Sequence, residues 1–263
     1  MRAGRDLRQQ EEEGSVKGED LRVVKTGCCG FRMAMAEYTA SFPVVEVQQT
    51  FYQPPQISTL ERWRAAAPPE FEFTLKAWQL ITHESRSPTY RRLKRELSEK
   101  ERAACGSFRQ SPVVSEAWET TLACALALKA GRILFQCPAS FTPTAPHVKQ
   151  LRKFFSSIER PAGLRLLWEP RGEWPGGLLR ELCGELGLTH VVDPFAARTV
   201  TPEDCYFRLH GRKGFRYVYE DDELAELLEM LPGAGTSYVL FNNVRMREDA
   251  ARFQRLVLGE QRS

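Results

Sequence analysis

Four ionisable side chains stand at one kind of place in this sequence, the polar end of a short alternating apolar stretch. Lys76 closes FEFTLK, Glu46 interrupts PVVEV, Glu169 closes LRLLWE, and His210 follows CYFRL. Such groups supply the usual tools of polar catalysis. A carboxylate serves as general base, a lysine as charge stabiliser or Schiff-base amine, and a histidine as general acid. Lys76, Glu46, Glu169 and His210 are therefore the catalytic candidates. The same or adjoining positions carry Gln48, Gln136, Arg171, Asp193, Arg208, Arg212, Asn242 and Asn243, with His83 seven residues beyond Lys76; these are the candidate substrate contacts.

Three chemistries compete for this set. Glu46, Glu169, Asp193 and His210 combine three carboxylates with an imidazole, a donor mixture that suits one Mg²⁺ or Mn²⁺. A trinuclear zinc site is disfavoured, because only His83, His147, His190 and His210 are present, and His190 reads as the entry end of its strand. An anion site would draw on Lys76, Arg171, Arg208, Arg212 and Lys213, the last two within the glycine-bracketed loop HGRKG. A nucleic-acid surface would use Tyr90–Arg95 and Phe215–Tyr217, where aromatics alternate with arginines. Glu96, Glu99 and Glu101 follow the first of these and favour a solvated charged face instead. Nucleophilic catalysis has little support, since GxSxG is absent and Cys137 has no evident histidine partner. An interior ion-pair network, Glu46 with Lys76 and Glu169 or Asp193 with Arg208, would account for the same residues without catalysis.

The elements that must position these groups alternate along the chain. Strands are predicted at LRVVKTG, PVVEVQQTFYQPP, FEFTLK, RILFQCP, LRLLWEP, THVVDP, CYFRLHG and SYVLFNN. Helices are predicted near residues 33–39, 57–67, 113–129, 147–158, 177–186, 222–231 and 246–257, the second capped by Ser58 or Thr59 and stopped by Pro68-Pro69. Eight strands with crossovers and no Gly/Ser-rich linker predict a single-domain α/β fold, a TIM-like (β/α)8 barrel over residues 21–258. The link after strand six is short and flanked by prolines, so the barrel is expected to be irregular there. KTGCCGFRM lacks the GxGxxG of a dinucleotide-binding fold. Residues 1–20 have no apolar periodicity and read as a disordered extension.

Side-chain parity sorts the strands. With Lys76 inward, Thr74 and Glu72 are inward as well. The matching positions are Glu46 and Gln48, Gln136, Arg165 and Glu169, Asp193, Arg208 and His210, and Tyr238 and Asn242. Barrel interiors are normally filled by Val, Ile and Leu, and active sites form at the C-terminal strand ends. So many ionisable groups at one end predict a site there. With 263 residues, 42% hydrophobic and 27% charged, the chain can bury a sizeable core. Its net charge of +3 does not by itself imply nucleic-acid binding. Seven cysteines, an odd number without CxxC spacing, predict reduced thiols and a cytoplasmic protein. No apolar run is long enough to span a membrane.

The strand-end phrases also occur as an ordered set: GCCGF (27–31), VEVQQTFYQPP (45–55), FTLKAWQLITH (73–83), ILFQCPASF (133–141), WEPRGEW (168–174), VVDPF (191–195), YFRLHGRKGFRYVY (206–219) and YVLFNNVRMREDA (238–250). In these the chain resembles the YecE-like family, domain of unknown function family 72, and within it the archaeal-type branch with the AWQLITH wording. The resemblance implies a TIM-barrel-like fold and names no reaction. Many relatives read GTSGW where this chain has Gly27-Cys28-Cys29-Gly30-Phe31, so a hydroxyl or tryptophan role at that place does not carry over. The expectation is an enzyme acting at the barrel mouth on a phosphate-bearing substrate, a small molecule or nucleic acid, with or without one divalent ion. The alternatives are a non-catalytic binding barrel and a metal-free isomerase or lyase using Lys76.

Overall fold

In the computed structural model, residues 22–259 are described, so the expectation for residues 1–20 lies outside them. Eight strands form one parallel sheet: β1 (Val23–Cys28), β2 (Val44–Val47), β3 (Glu72–Lys76), β4 (Arg132–Gln136), β5 (Arg165–Glu169), β6 (Leu188–His190), β7 (Cys205–Leu209) and β8 (Thr236–Phe241). Their order, β6-β5-β4-β3-β2-β1-β8-β7, brings the first and last strands in the row face to face. There β6 and β7 join only through the Val192–Phe207 bridge, with Arg208 N–H donating to Val192 O at 2.9 Å. The barrel is therefore nearly closed, with a seam between β6 and β7.

The outer layer is helical: α1 (Met35–Ser41), α2 (Gln49–Tyr52), α3 (Ile57–Ala66), α4 (Gln79–Thr82), α5 (Glu99–Ala104), α6 (Pro112–Leu128), α7 (Ala145–Ser157), α8 (Gly176–Leu186), α9 (Asp221–Glu229) and α10 (Met246–Val257). Local sequence chemistry fixes several starts. Ser111 accepts from Val114 N–H with Pro112 at the first helical position, and Ser98 forms a capping box with Glu101. Among the described residues no helix stands between His190 and Cys205. The expected irregularity after strand six is this missing crossover.

Two corrections to the sequence reading matter for the site. PVVEVQQTFYQPP is not one strand, because β2 stops at Val47 and Gln49–Tyr52 turns as α2. Thr50 stabilises the turn by donating to Val47 O and Lys76 O, at 3.1 and 2.7 Å, which lays Phe51 beside the end of β3. Strand six ends at His190 rather than beginning there, and its side chain alternates outward beside Trp168 while Val191 faces the interior.

The apolar residues divide into two clusters. The larger one, with Phe73, Leu75, Phe135, Trp168 and Phe241, lies between sheet and helices. The smaller one, with Val44, Leu134, Leu167, Val191, Tyr206, Tyr238 and Leu240, fills the barrel interior. Most of these interior residues sit one alternation below a polar group at the strand end, as period-2 geometry requires. Burial of this kind stabilises by about 25 cal/mol per Å² of apolar surface. It supplies the rigid frame on which the polar ends are mounted.

Candidate functional site

Arg208 is the keystone of the floor. It extends inward from β7 with no exposed surface, and its guanidinium is saturated by acceptors from three other strands. Nε and Nη2 donate to the Glu46 carboxylate at 3.1 and 2.8 Å, while Nη1 donates to Glu169 at 2.5 Å and Gln136 Oε1 at 3.1 Å. Tyr206 Oη, one alternation deeper, donates to Glu46 at 2.8 Å. Burial pushes Glu169 upward, but Arg208, then His210 and Arg171, outweigh it and hold the carboxyl well below its ordinary range. The same carboxylates keep Arg208 charged despite burial. Asp193, also expected as an Arg208 partner, instead accepts from the backbone N–H groups of Phe195 and His210, at 3.1 and 2.9 Å.

Lys76 is the exception in this arrangement. It is 6% exposed, yet Nζ makes no hydrogen bond or ion pair among the described residues. Its nearest organised neighbour is the Phe51 ring, whose centroid lies 3.6 Å from Nζ. The expected Glu46–Lys76 pair does not form, because Arg208, Tyr206 and Gln48 already serve the Glu46 oxygens. Burial, followed by repulsion from Arg208, lowers Lys76 from 10.5 to about 7. An amine held there exchanges a proton readily at neutral pH.

Lys76 opens into a cavity of about 710 Å³. Gln48, His83, Gln136, Arg171, His210 and Asn242 also line it, so the structure brings these candidates together. Arg32, Arg92, Tyr52 and Phe215 complete the wall; of these, sequence reasoning missed Arg32 entirely and assigned Arg92 to a solvated face. Arg92 stacks over the Tyr52 ring at 3.5 Å, a contact made possible by the α2 turn. Among the described residues no carboxylate lines this chamber, against Lys76 and three arginines.

His83 is placed by its own loop. Gly106, Ser107 and Phe108 adopt positive φ (78°, 51° and 55°) and donate to the carbonyls of Leu80, Thr82 and Ile81. A side chain at Gly106 would meet the His83 carbonyl carbon at 2.4 Å, so glycine is required there. Burial, then the Lys76 charge, lowers His83 from 6.5 to about 3, and the ring stays neutral. Nδ1 lies 2.8 Å from Thr82 Oγ1, and the ring meets Phe51 edge-on at 5.0 Å between centroids.

A second chamber of about 990 Å³, the seam chamber, opens between the β5–α8 segment and the link from β6 to β7. Glu169, Asp193, His190, Glu173 and Trp174 line it, and it shares Arg171 and His210 with the first chamber. Both shared side chains contact the same Glu169 oxygen, Arg171 Nη1 at 3.0 Å and His210 Nε2 at 2.9 Å. Asn242 Nδ2 donates to His210 Nδ1 at 3.2 Å, which assigns the ring proton to Nε2 and lets it donate to Glu169. Glu169, Arg171 and His210 thus form a partition between two chambers.

Two expected contacts lie elsewhere. Arg212 turns outward and pairs with Glu223 at 3.0 Å and Glu226 at 3.7 Å, standing over the Phe195 ring. The turn is tight: Gly211 has φ of 85°, and a Cβ there would meet Gly214 O at 2.4 Å. Asn243 is buried and donates to Asp249 and Tyr217 O at 2.6 and 2.8 Å, tying β8 to α10. The four proposed metal ligands do not fit an ion either. Arg208 occupies the space between Glu46 and Glu169, Asp193 is engaged by backbone N–H groups, and His210 presents N–H to Glu169. Among the described residues no group of three or more His, Cys, Asp or Glu is arranged to hold a metal.

All seven cysteines are buried and unpaired. Cys29 lies at the chamber floor, where burial and then the Glu46 charge push its thiol well above the ordinary value, so it is not poised as a nucleophile. No helix among the described residues is long and apolar enough to cross a membrane.

Comparison with known proteins agrees with this architecture. A DUF72 family protein from Enterococcus faecalis V583 is 21% identical, with 92% of this chain and 97% of that chain covered and a TM-score of 0.70. A DUF72 family protein from Thermotoga maritima is also 21% identical, covering 90% and 99%, with a TM-score of 0.66. Endonuclease IV from Thermus thermophilus shares the barrel at 11% identity, covering 92% and 100%, with a TM-score of 0.52. None of the curated proteins matches. The model of the family described as protein of unknown function DUF72 matches residues 27–262, and the chain belongs to that family.

Proposed function

We propose that the protein is an enzyme that binds a phosphate-bearing substrate in the Lys76 chamber and uses neutral Lys76 as the base in a proton transfer. The observation that carries this reading is the desolvated Lys76 amine, without an ion pair, facing a cavity walled by Arg32, Arg92 and Arg171 and, among the described residues, by no carboxylate. Arginine forks and a focused positive potential suit phosphate oxygens. His83, held neutral, and the Gln48 and Gln136 amides are suited to orient uncharged oxygens of the substrate. Arg208 and Glu46 serve as the floor: their polar atoms are spent on each other, and they have no surface to offer a ligand. A purely structural interior accounts for that pair. It leaves the Lys76 amine with the Phe51 ring and no hydrogen-bond acceptor among the described residues.

The test has a binding arm and a chemical arm. Inorganic phosphate and pyrophosphate should raise the thermal midpoint of the wild type by mass action, and Lys76→Met should abolish the effect. Carbonyl-bearing phosphate esters incubated in D₂O should take up deuterium beside the carbonyl with wild type and not with Lys76→Met. Phosphate binding that survives Lys76→Met unchanged would sink the anion assignment. Deuterium uptake that survives it would sink the base.

A further inference from the structure

The second chamber has a different chemistry from the first, and one donor that faces it is left unused by the fold. His190, at the end of β6, is 3% exposed. Its Nδ1 accepts from the Val200 backbone N–H at 3.2 Å, which places the ring proton on Nε2. That N–H has no partner among the described residues, and His190 lines the seam chamber. The N–H opens onto the chamber, so an acceptor held there can take its hydrogen bond. Burial lowers His190 from 6.5 to about 4, so the ring remains a neutral donor across the physiological range.

The rest of the wall narrows what the acceptor is. Glu173 carries a carboxylate with no ion pair among the described residues, and Trp174 and Leu179 present apolar surface. Glu169, Glu173 and Asp193 set three carboxylates against the guanidinium groups of Arg171 and Arg198, so the lining does not favour a second anion. A neutral N–H donor, a free carboxylate acceptor and an apolar face together match a group that accepts and donates hydrogen bonds from an apolar carbon skeleton. A polyhydroxylated carbon chain or ring has that chemistry. The partition made by Arg171 and His210 is shared by both chambers, so one ligand can reach across it.

We propose that the seam chamber is a second subsite, which binds the uncharged polyhydroxyl portion of a ligand whose phosphate lies against Lys76, with His190 Nε2–H donating to one of its oxygens. The ligand class is thus a sugar phosphate, an inference that rests on the anion reading of the Lys76 chamber. Where a crossover helix would stand, the link from β6 to β7 packs on His190 through Thr199, Val200 and Thr201 and leaves Nε2 toward the chamber.

Four histidines make the test direct, because each imidazole can be followed by NMR in ¹⁵N-histidine-labelled protein. His83 reports on the first chamber, His190 on the second and His210 on the partition, while His147 lines neither. Inorganic phosphate should move His83 and His210 only. Ribose 5-phosphate and glucose 6-phosphate should also move His190, and at least one should bind about tenfold more tightly than phosphate alone. His190→Phe should remove that tenfold advantage and leave phosphate affinity unchanged. Ala197→Trp, which fills the chamber from an exposed position, should do the same should His190→Phe fail to fold. The proposal is overturned if neither sugar phosphate moves His190 more than phosphate does, or if both variants bind sugar phosphates like wild type. Phosphate moving His190 instead of His83 would overturn it too, by making the seam the anion site. A His190 response to sugar phosphate without any His83 response to phosphate would preserve the polyol subsite and remove the anion reading.

Discussion

The two chambers at the barrel mouth share a partition and differ in nearly everything else. The Lys76 chamber lies over the barrel interior and is lined, among the described residues, by a lysine, three arginines and no carboxylate. The seam chamber lies where a crossover helix is missing and mixes three carboxylates with two arginines, a neutral histidine and apolar side chains. Polar residues at strand ends therefore do not define a site by their number. What separates candidate function from structure is whether a buried group has been satisfied by its neighbours. Arg208 is satisfied on every side, whereas Lys76 Nζ and His190 Nε2 open onto the chambers with no hydrogen-bond partner among the described residues.

The largest test of that distinction is Arg208→Met. Removing the guanidinium strands two carboxylates, Glu46 and Glu169, in the floor common to both chambers. Loss of one partner from a buried ion pair costs about 3–5 kcal/mol, and urea unfolding should show a loss of that size. A loss under about 1 kcal/mol would mean that the floor does not depend on the triad.

Lys76→Met should act in the opposite direction. In the folded protein Lys76 falls from 10.5 to about 7, so wild type carries a penalty for burying the charge. Below pH 7 the lysine is protonated whether folded or unfolded, and the whole penalty stands. Between about 7 and 10.5 the unfolded lysine keeps a proton that the folded one has lost, and wild-type stability rises with pH. Above that range both forms are neutral and the penalty is gone. Methionine should therefore stabilise by on the order of 3 kcal/mol below pH 7, after allowing for the lost contact with Phe51, and the gain should shrink toward pH 10.5. Equal unfolding midpoints for the two proteins at pH 6 would show that Lys76 has a partner after all.

Much of this architecture was legible in the residues. Period-2 alternation put Lys76, Glu46, Glu169, Arg208 and His210 on inward faces of parallel strands, where the structure has them. Alternation says nothing about which partner wins when several are within reach. Arg208 took Glu46 because a planar fork meets a carboxylate through two donors, leaving the ammonium of Lys76 unpaired. The turn of α2 was hidden because QQTFY continues a β-prone run, and with it went the placement of Phe51 and Tyr52. His190 was misjudged for a related reason: THVVDP reads as a whole strand, but only Leu188–His190 pairs as one. The seam chamber depends on an absent helix, and the sequence marks that only by a short, proline-flanked link.

A smaller effect is expected from Arg171→Gln, which addresses the partition itself. Arg171 is 40% exposed on its side chain and held by one contact to Glu169, so stability should scarcely change. Because it faces both chambers, phosphate and sugar phosphates should lose affinity together, by about fivefold. A loss confined to sugar phosphates would place Arg171 in the seam alone and remove it from the anion site.

The smallest effect belongs to Arg212, and it separates sequence position from geometry. HGRKG follows strand seven, where phosphate loops of this fold are common, and the sequence alone ranks Arg212 with Arg171. The turn at Gly211 sends Arg212 away from both chambers to Glu223 and Glu226 on α9. Arg212→Ala should leave the affinity for inorganic phosphate and for sugar phosphates at the wild-type value in the same titrations. A drop as large as that of Arg171→Gln would show that the loop swings inward when ligand binds, and the Lys76 chamber would then gain a fourth arginine.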